Sequence, residues 1–259
     1  IFITGMARSG TTLLEKLLHN HPKLFIASQP YPLIYTEIKK EFLNNKNINS
    51  DYPLDNYFLT GTEELNEFYD FLDKFIIKKD LVKNIFFEMK KYSGQLTSEV
   101  LNEKIYNNFD NGNFRQLYNF LINNLFSNFN QNNQIHSGSK EIYCEEYLPY
   151  ILRNMSTHKG IIIVRNPRDV ITSLNFGKYK KYAGKRKPIL FDLRNWRKSV
   201  AFAIYLEKHK NFKMVKYEDL VETPFEVLND ISNFLGIRNF KRKYYKNGIK
   251  DQQGDVWSG

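Results

Sequence analysis

The chain has 259 residues, 42% hydrophobic and 25% charged, enough for a sizeable core and ordinary for a globular protein. A formal net charge of +10 points to an anionic ligand. No run of roughly 18 uncharged apolar residues is present, which excludes a bilayer-spanning helix within the sequence. The one cysteine, Cys144, excludes an internal disulfide, fits a reducing, cytoplasmic location and is expected in the core. No Cys/His grouping has metal-ligand spacing, so no metal is expected. The sequence starts directly on strand-like IFITG, as expected of a chain with further residues upstream.

Ile1–Thr4 reads as a buried parallel strand. Leu13, Leu14, Leu17 and Leu18 then recur at helical spacing, with Glu15 and Lys16 outward and His21-Pro22 as the stop. Phe25–Ala27 reads as a second strand. The stripes Leu65, Phe68, Phe71, Leu72, Phe75, Ile76 and Leu117, Phe120, Leu121, Leu125 predict an all-helical insertion over roughly 55–130. Strand character returns at 135–142, followed by a helix at 147–153. Gly160–Val164 (GIIIV) is the strongest buried-strand signal. Val170, Ile171 and Leu174 face inward on the helix opened by Pro167. A long helix near 192–208 carries Leu193, Trp196, Val200, Ala203 and Ile204 on one side. Residues 212–220 read as strand then turn, and Pro224–Leu235 as a helix stopped by Gly236. The alternation predicts an α/β fold: a P-loop-type parallel sheet, helices on both faces, in one domain over 1–259.

Between the first strand and helix stands GMARSGTT. Gly5 and Gly10 have the G-x-x-x-x-G spacing of a phosphate cradle, in which loop N–H groups and a helix N-terminus converge on an anion. A nucleotide-hydrolysing cradle continues with Lys; here Thr11 and Thr12 follow, and Arg8 supplies a planar, permanently charged fork. Arg165 leaves the GIIIV strand at its carboxyl end, where open α/β sheets bind ligands, and Ser173 lies eight residues on. An Arg at a strand tip and a Ser on the next helix suit a second phosphate.

Together, GMARSGTTLL and VRNPRDVITS resemble the sulfotransferases that use 3′-phosphoadenosine 5′-phosphosulfate (PAPS), in order, separation and flanking strands. VKYEDLVETPFEVLNDISNFLGI resembles that family's K-Y-E-D-L segment, so the likeness covers nearly the whole chain. It is closer to the carbohydrate- and tyrosylprotein-type branch than to the small-phenol enzymes. The resemblance implies PAPS as co-substrate, PAP as product and no metal. It implies Arg8, Ser9, Gly10, Thr11 and Thr12 around the 5′-phosphosulfate, Arg165 and Ser173 on the 3′-phosphate, Tyr217 near the adenine or 3′-phosphate, and Lys140 on the transferred sulfonate. Lys246 and Gly248 loosely echo a late 3′-phosphate segment.

Ala7 replaces the usual proline of the loop. Gln29 stands where the tyrosylprotein branch carries its catalytic Glu, and an amide cannot accept a proton; it can orient an acceptor. Glu37 is the favoured base, with catalytic roles also for Lys140 and Arg8. Glu141 is weakened by alternation with Lys140, His136 is a third candidate, and His19 or His21 a fourth. The insertion, Tyr31 and the basic 178–187 segment are expected to shape a small-molecule or saccharide acceptor site, with no nucleic acid involved. Three alternatives stay open: a PAPS-binding homologue without turnover, a P-loop nucleotide kinase and a nucleic-acid-binding module.

Overall fold

The computed structural model describes residues 1–48, 62–89, 106–129, 136–176, 189–250 and 255–256. In chain order the elements are β1 (Phe2–Thr4), α1 (Thr11–His19), β2 (Leu24–Ser28), α2 (Pro32–Asn45), α3 (Thr62–Lys74), α4 (Lys79–Met89), α5 (Phe114–Phe129), β3 (His136–Lys140), a 3-10 turn (Glu145–Tyr147) running into α6 (Leu148–Asn154), β4 (Gly160–Val164), α7 (Pro167–Phe176), α8 (Ile189–Leu206), β5 (Phe212–Lys216), α9 (Tyr217–Glu222), α10 (Pro224–Leu235) and a 3-10 turn (Arg242–Tyr245). The strands form one sheet in the order β2-β3-β1-β4-β5. Every pairing is parallel, with Ile3 opposite Lys140 and Ile161. The carboxyl ends of β1, β3 and β4 therefore lie side by side.

Alternate residues of each strand go to opposite faces, as the pleat requires. Ile3, Leu24, Ile26, Ile161, Ile163 and Val215 pack under α1 and α10. Phe2, Phe25, Ala27, Ile162 and Phe212 pack under α2, α6 and α8. The insertion helices α3, α4 and α5 lay their apolar stripes into this second cluster through Phe68, Leu72, Phe86, Leu117 and Leu121. Among the described residues no helix is long and apolar enough to cross a membrane.

Several expectations need correction. Glu15 and Lys16 do not face outward; both are buried and paired at 3.2 Å, because their stretch of α1 runs beneath the sheet end. On α8 Asp192, Asn195, Lys198 and Ser199 are inside, followed by Phe202, Ala203 and Leu206; Ala203 is buried as expected, while Ile204 is 63% exposed. Tyr217–Glu222 is a helix, not a turn. Ile76 lies beyond α3 and is exposed. Val170 is buried as expected, while Ile171 is only half-buried. Cys144 is buried, and Gly236 stops α10 in the left-handed conformation at φ 72°.

The polar inner side of α8 has a purpose. Lys198 Nζ donates to Glu146 Oε2 at 2.9 Å and stands 3.1 Å from Glu145 Oε2. Lys39 of α2 pairs with the other oxygen of Glu146, and Ser199 donates to Glu145. Burial opposes the charge on Lys198, but Glu145 and Glu146 outweigh it and hold the ammonium protonated. Lys198 also donates to Tyr143 O at 2.9 Å, and Tyr143 N–H donates to Gly5 O at 3.2 Å. The buried ion cluster thus braces the β3–α6 turn against the first loop. Lys198→Met, leaving two buried carboxylates short of a cation, is expected to cost about 3–5 kcal/mol in denaturant unfolding.

Candidate active site

The GMARSGTT loop comes directly after β1. Gly5 passes so close to β4 that a Cβ on it would lie 2.7 Å from Ile163 O. Arg8 takes φ 68° and Gly10 φ 96°, two left-handed turns that bring the chain back onto α1. Ser9 stabilises the turn itself: its hydroxyl donates to Met6 O at 2.6 Å. Gly10 caps α1, so the N–H groups of the first turn, from Thr11 and Thr12, have no partner four residues back and face the loop. Arg8 and Thr12 are at least partly exposed, whereas Ser9 and Thr11 are buried.

The structure brings the two sequence clusters into direct contact. Arg8 Nε donates to Ser173 Oγ at 2.8 Å, across 165 residues of chain. Arg165 Nη1 donates to Arg8 O at 3.2 Å, and the Arg165 guanidinium lies 4.2 Å from the centre of the Tyr217 ring. Tyr217 in turn sits flush on Gly10, where a Cβ would fall 2.3 Å from its ring. Trp196 Nε1–H donates to Arg165 O at 2.8 Å and fixes the strand tip. Among the described residues, the buried Nε of Arg165 makes no hydrogen bond, with Asp169 3.9 Å away. Two guanidinium groups, a hydroxyl, an aromatic face and a helix N-terminus therefore share one edge of the sheet, a set of donors suited to an anion with more than one charge.

Beside this cluster stands the end of β3. Lys140 is 2% exposed, and its Nζ donates to Gln29 Oε1 at 3.1 Å. Burial lowers its affinity for a proton, while Glu15 and Glu141 raise it and Lys16 lowers it again. Glu15 is thus a counter-charge to Lys140, although helical periodicity assigns it to the solvent side; a carboxylate next to the apolar stripe of α1 is the available signal. Glu141 turns to the other face, as alternation requires. It is fully buried, accepts the Tyr31 N–H at 3.0 Å, and lies among Tyr31, Tyr35, Tyr118 and Cys144. Burial pushes its carboxyl up to about 8, against the Tyr31 hydrogen bond and Lys140.

Other expected residues make contacts of their own. Glu37, on the second turn of α2, pairs with Lys40 at 2.5 Å and is half-buried. His136 opens β3, opposite Leu24, about 13 Å along the strand from Lys140 at ~3.3 Å per residue. His19 accepts the Ile26 N–H and His21 contacts Arg238 O, both near the far end of α1. The segment of Lys246 and Gly248 is anchored there too, through Tyr245 Oη–H to Leu17 O and Lys250 N–H to Asn20 Oδ1, so the structure does not bring it to the loop. Tyr31 is 1% exposed, its hydroxyl donating to Leu121 O, and serves packing first. The 178–187 segment lies outside the described residues.

A parallel sheet with a glycine loop after its central strand and an Arg-bearing tip on the neighbouring strand is an α/β arrangement with its charged residues at the carboxyl ends of the strands. The model of the sulfotransferase family matches residues 1–242, and the chain belongs to that family, whose members transfer a sulfonate group. Its fold is similar to that of the sulfotransferase domain from the curacin biosynthetic pathway, at 22% identity and TM-score 0.55, over 100% of this chain and 79% of that one. It is also similar to the sulfotransferase domain of the Synechococcus PCC 7002 olefin synthase, at 19% identity and TM-score 0.54, over 96% of this chain and 77% of that one. No curated protein matches the chain.

Two measurements test this geometry. Gly10→Ala strains a left-handed position and drives a methyl group into Tyr217; it is expected to cost about 1–3 kcal/mol in urea unfolding. Glu141 keeps its proton in the fold up to about pH 8, against an ordinary 4.5. Its contribution is fully present below about 4.5 and is lost as pH rises through 8, so stability falls across that window. Glu141→Gln removes the titration, and the Tm of the parent is expected to fall relative to the variant from pH 5 to pH 9.

Proposed function

We propose that this chain transfers the sulfonate group of PAPS to a hydroxyl or amine of a carbohydrate-like acceptor and releases PAP. The observation that carries the reading is the Arg8–Ser173 hydrogen bond with Arg165 stacked on Tyr217, which unites the two anion clusters at one sheet edge. One nucleotide with phosphates at both ends of its ribose satisfies both. In this scheme Arg8, the N–H groups of Gly10, Thr11 and Thr12, and the Ser9-braced turn hold the 5′ end. Arg165, Ser173 and Tyr217 hold the 3′-phosphate and adenine.

The acceptor oxygen attacks sulfur as the bond from sulfur to the bridging oxygen of the 5′-phosphate breaks. Negative charge grows on that bridging oxygen, where Arg8 and the loop N–H groups stabilise it, while Lys140 holds an oxygen of the sulfonate. A carboxylate takes the acceptor proton. Glu37 fills that role by leaving Lys40. Glu141 is a second reading, favoured by its place next to Lys140 and by a proton affinity close to working pH. Glu37→Gln and Glu141→Gln separate the two: the variant of the true base loses about a hundredfold in transfer rate while binding PAP normally.

Calorimetry tests the donor. PAP is expected to bind without magnesium, and Arg165→Ala to weaken it at least about a hundredfold, as loss of a bidentate charged partner does. Tighter binding of magnesium-ATP, or no loss in the variant, would move the kinase reading forward.

A further inference from the structure

Lys140 is the cation best placed to meet a transferred sulfonate, yet its ammonium already has a partner. Gln29 crosses the end of β3 in the link from β2 to α2. Its N–H donates to Lys140 O at 2.8 Å, and its Oε1 accepts from Lys140 Nζ at 3.1 Å. Two residues on, Tyr31 N–H donates to Glu141 Oε1 at 3.0 Å, and the buried Tyr31 hydroxyl donates to Leu121 O. The main chain of this strap is thus pinned to both residues at the end of β3. It also holds Gln29 at φ 45°, a left-handed value that costs a residue with a Cβ about 1 kcal/mol and persists because the flanking bonds impose it. What can move without undoing those bonds is the side chain of Gln29, which is only half-buried above a nearly sealed lysine.

Resting on the PAPS reading above, we propose that Gln29 is a donor-selective latch. Its amide oxygen occupies on Lys140 Nζ the place that a sulfonate oxygen takes. The phosphosulfate displaces it, and the bisphosphate product, which has no sulfonate, lets it return. A sulfonate wins the exchange because a hydrogen bond charged on both sides is stronger than one with a neutral amide. The latch therefore lowers PAPS affinity and leaves PAP affinity alone. While shut it keeps Lys140 dry and correctly aimed, with Glu15 as its counter-charge.

The test is the calorimetric affinity of PAP and of PAPS for the parent chain, Gln29→Ala, Lys140→Met and the double variant. Gln29→Ala should bind PAPS about tenfold more tightly, the value of one hydrogen bond to a charged group, with PAP within about twofold. In the Lys140→Met background the Gln29 substitution should change neither nucleotide, the coupling expected of two residues in contact. If Lys140→Met does not fold, Gln29→Asn, one carbon too short to reach the ammonium, should repeat the PAPS-selective gain. A shift in both nucleotides alike, no shift, or the same shift without Lys140 would overturn the latch. Failure of the parent chain to bind PAP would instead bring down the donor reading, and the latch with it.

Discussion

The parallel pairing of β1 with β3 on one side and β4 on the other is the constraint on which the site depends. Ile3 stands opposite both Lys140 and Ile161, so β1 and β3 end within a residue of each other and β4 runs on two residues past the end of β1, to Val164. The segments that leave these strands then meet at that edge: the loop of Arg8, the turn of Lys140 and the tip of Arg165. No residue of one segment needs to know the sequence of another; the register aligns them. The Arg8–Ser173 bond and the Arg165–Tyr217 stack are consequences of that register.

The same edge concentrates positive charge, which must be held in place before any ligand arrives. Beneath it the chain buries carboxylates. Burial lowers the proton affinity of Lys140 and Glu15 offsets part of that, whereas Glu145 and Glu146 outweigh burial at Lys198. Such buried ion groups are poor sources of net stability. Here their value is positional: Lys198 braces Tyr143, Tyr143 braces Gly5, and the loop keeps two left-handed residues, Arg8 and Gly10, in fixed geometry. The cost of these strained and buried groups lies next to the chemistry they would serve, as in other functional sites.

Most of the sheet is legible in the sequence, because buried parallel strands write themselves as short apolar runs and the pleat sorts their residues. The glycine turn after β1 and the place of Arg165 at the tip of β4 are legible as well, since glycine spacing and charge at a strand tip are local signals; the Arg8–Ser173 bond is not, because it joins segments 165 residues apart. Helix faces are less so. On α8 the side with Leu193, Trp196 and Ile204 looks inward by hydrophobicity, yet Ile204 is exposed and Lys198 is inside, because Glu145 and Glu146 from another element compensate it. Glu15 misleads for the same reason. Periodicity registers hydrophobicity along one helix, whereas a buried charge is decided by a partner far away in sequence. Strand alternation gives the direction of Glu141 correctly, but the aromatic residues around it, Tyr31 and Tyr35 at α2 and Tyr118 on α5, come from two distant segments and have no local signature.

The central claim is that one nucleotide bridges the two clusters through phosphates at both ends. The most direct measurement compares PAP with AMP, which lacks the 3′-phosphate, by calorimetry on the parent chain and on Arg165→Ala. The account predicts that AMP binds at least about a hundredfold more weakly than PAP, and that the variant binds the two nearly alike. Equal affinities on the parent chain, or a preference for PAP that survives the loss of Arg165, would contradict it.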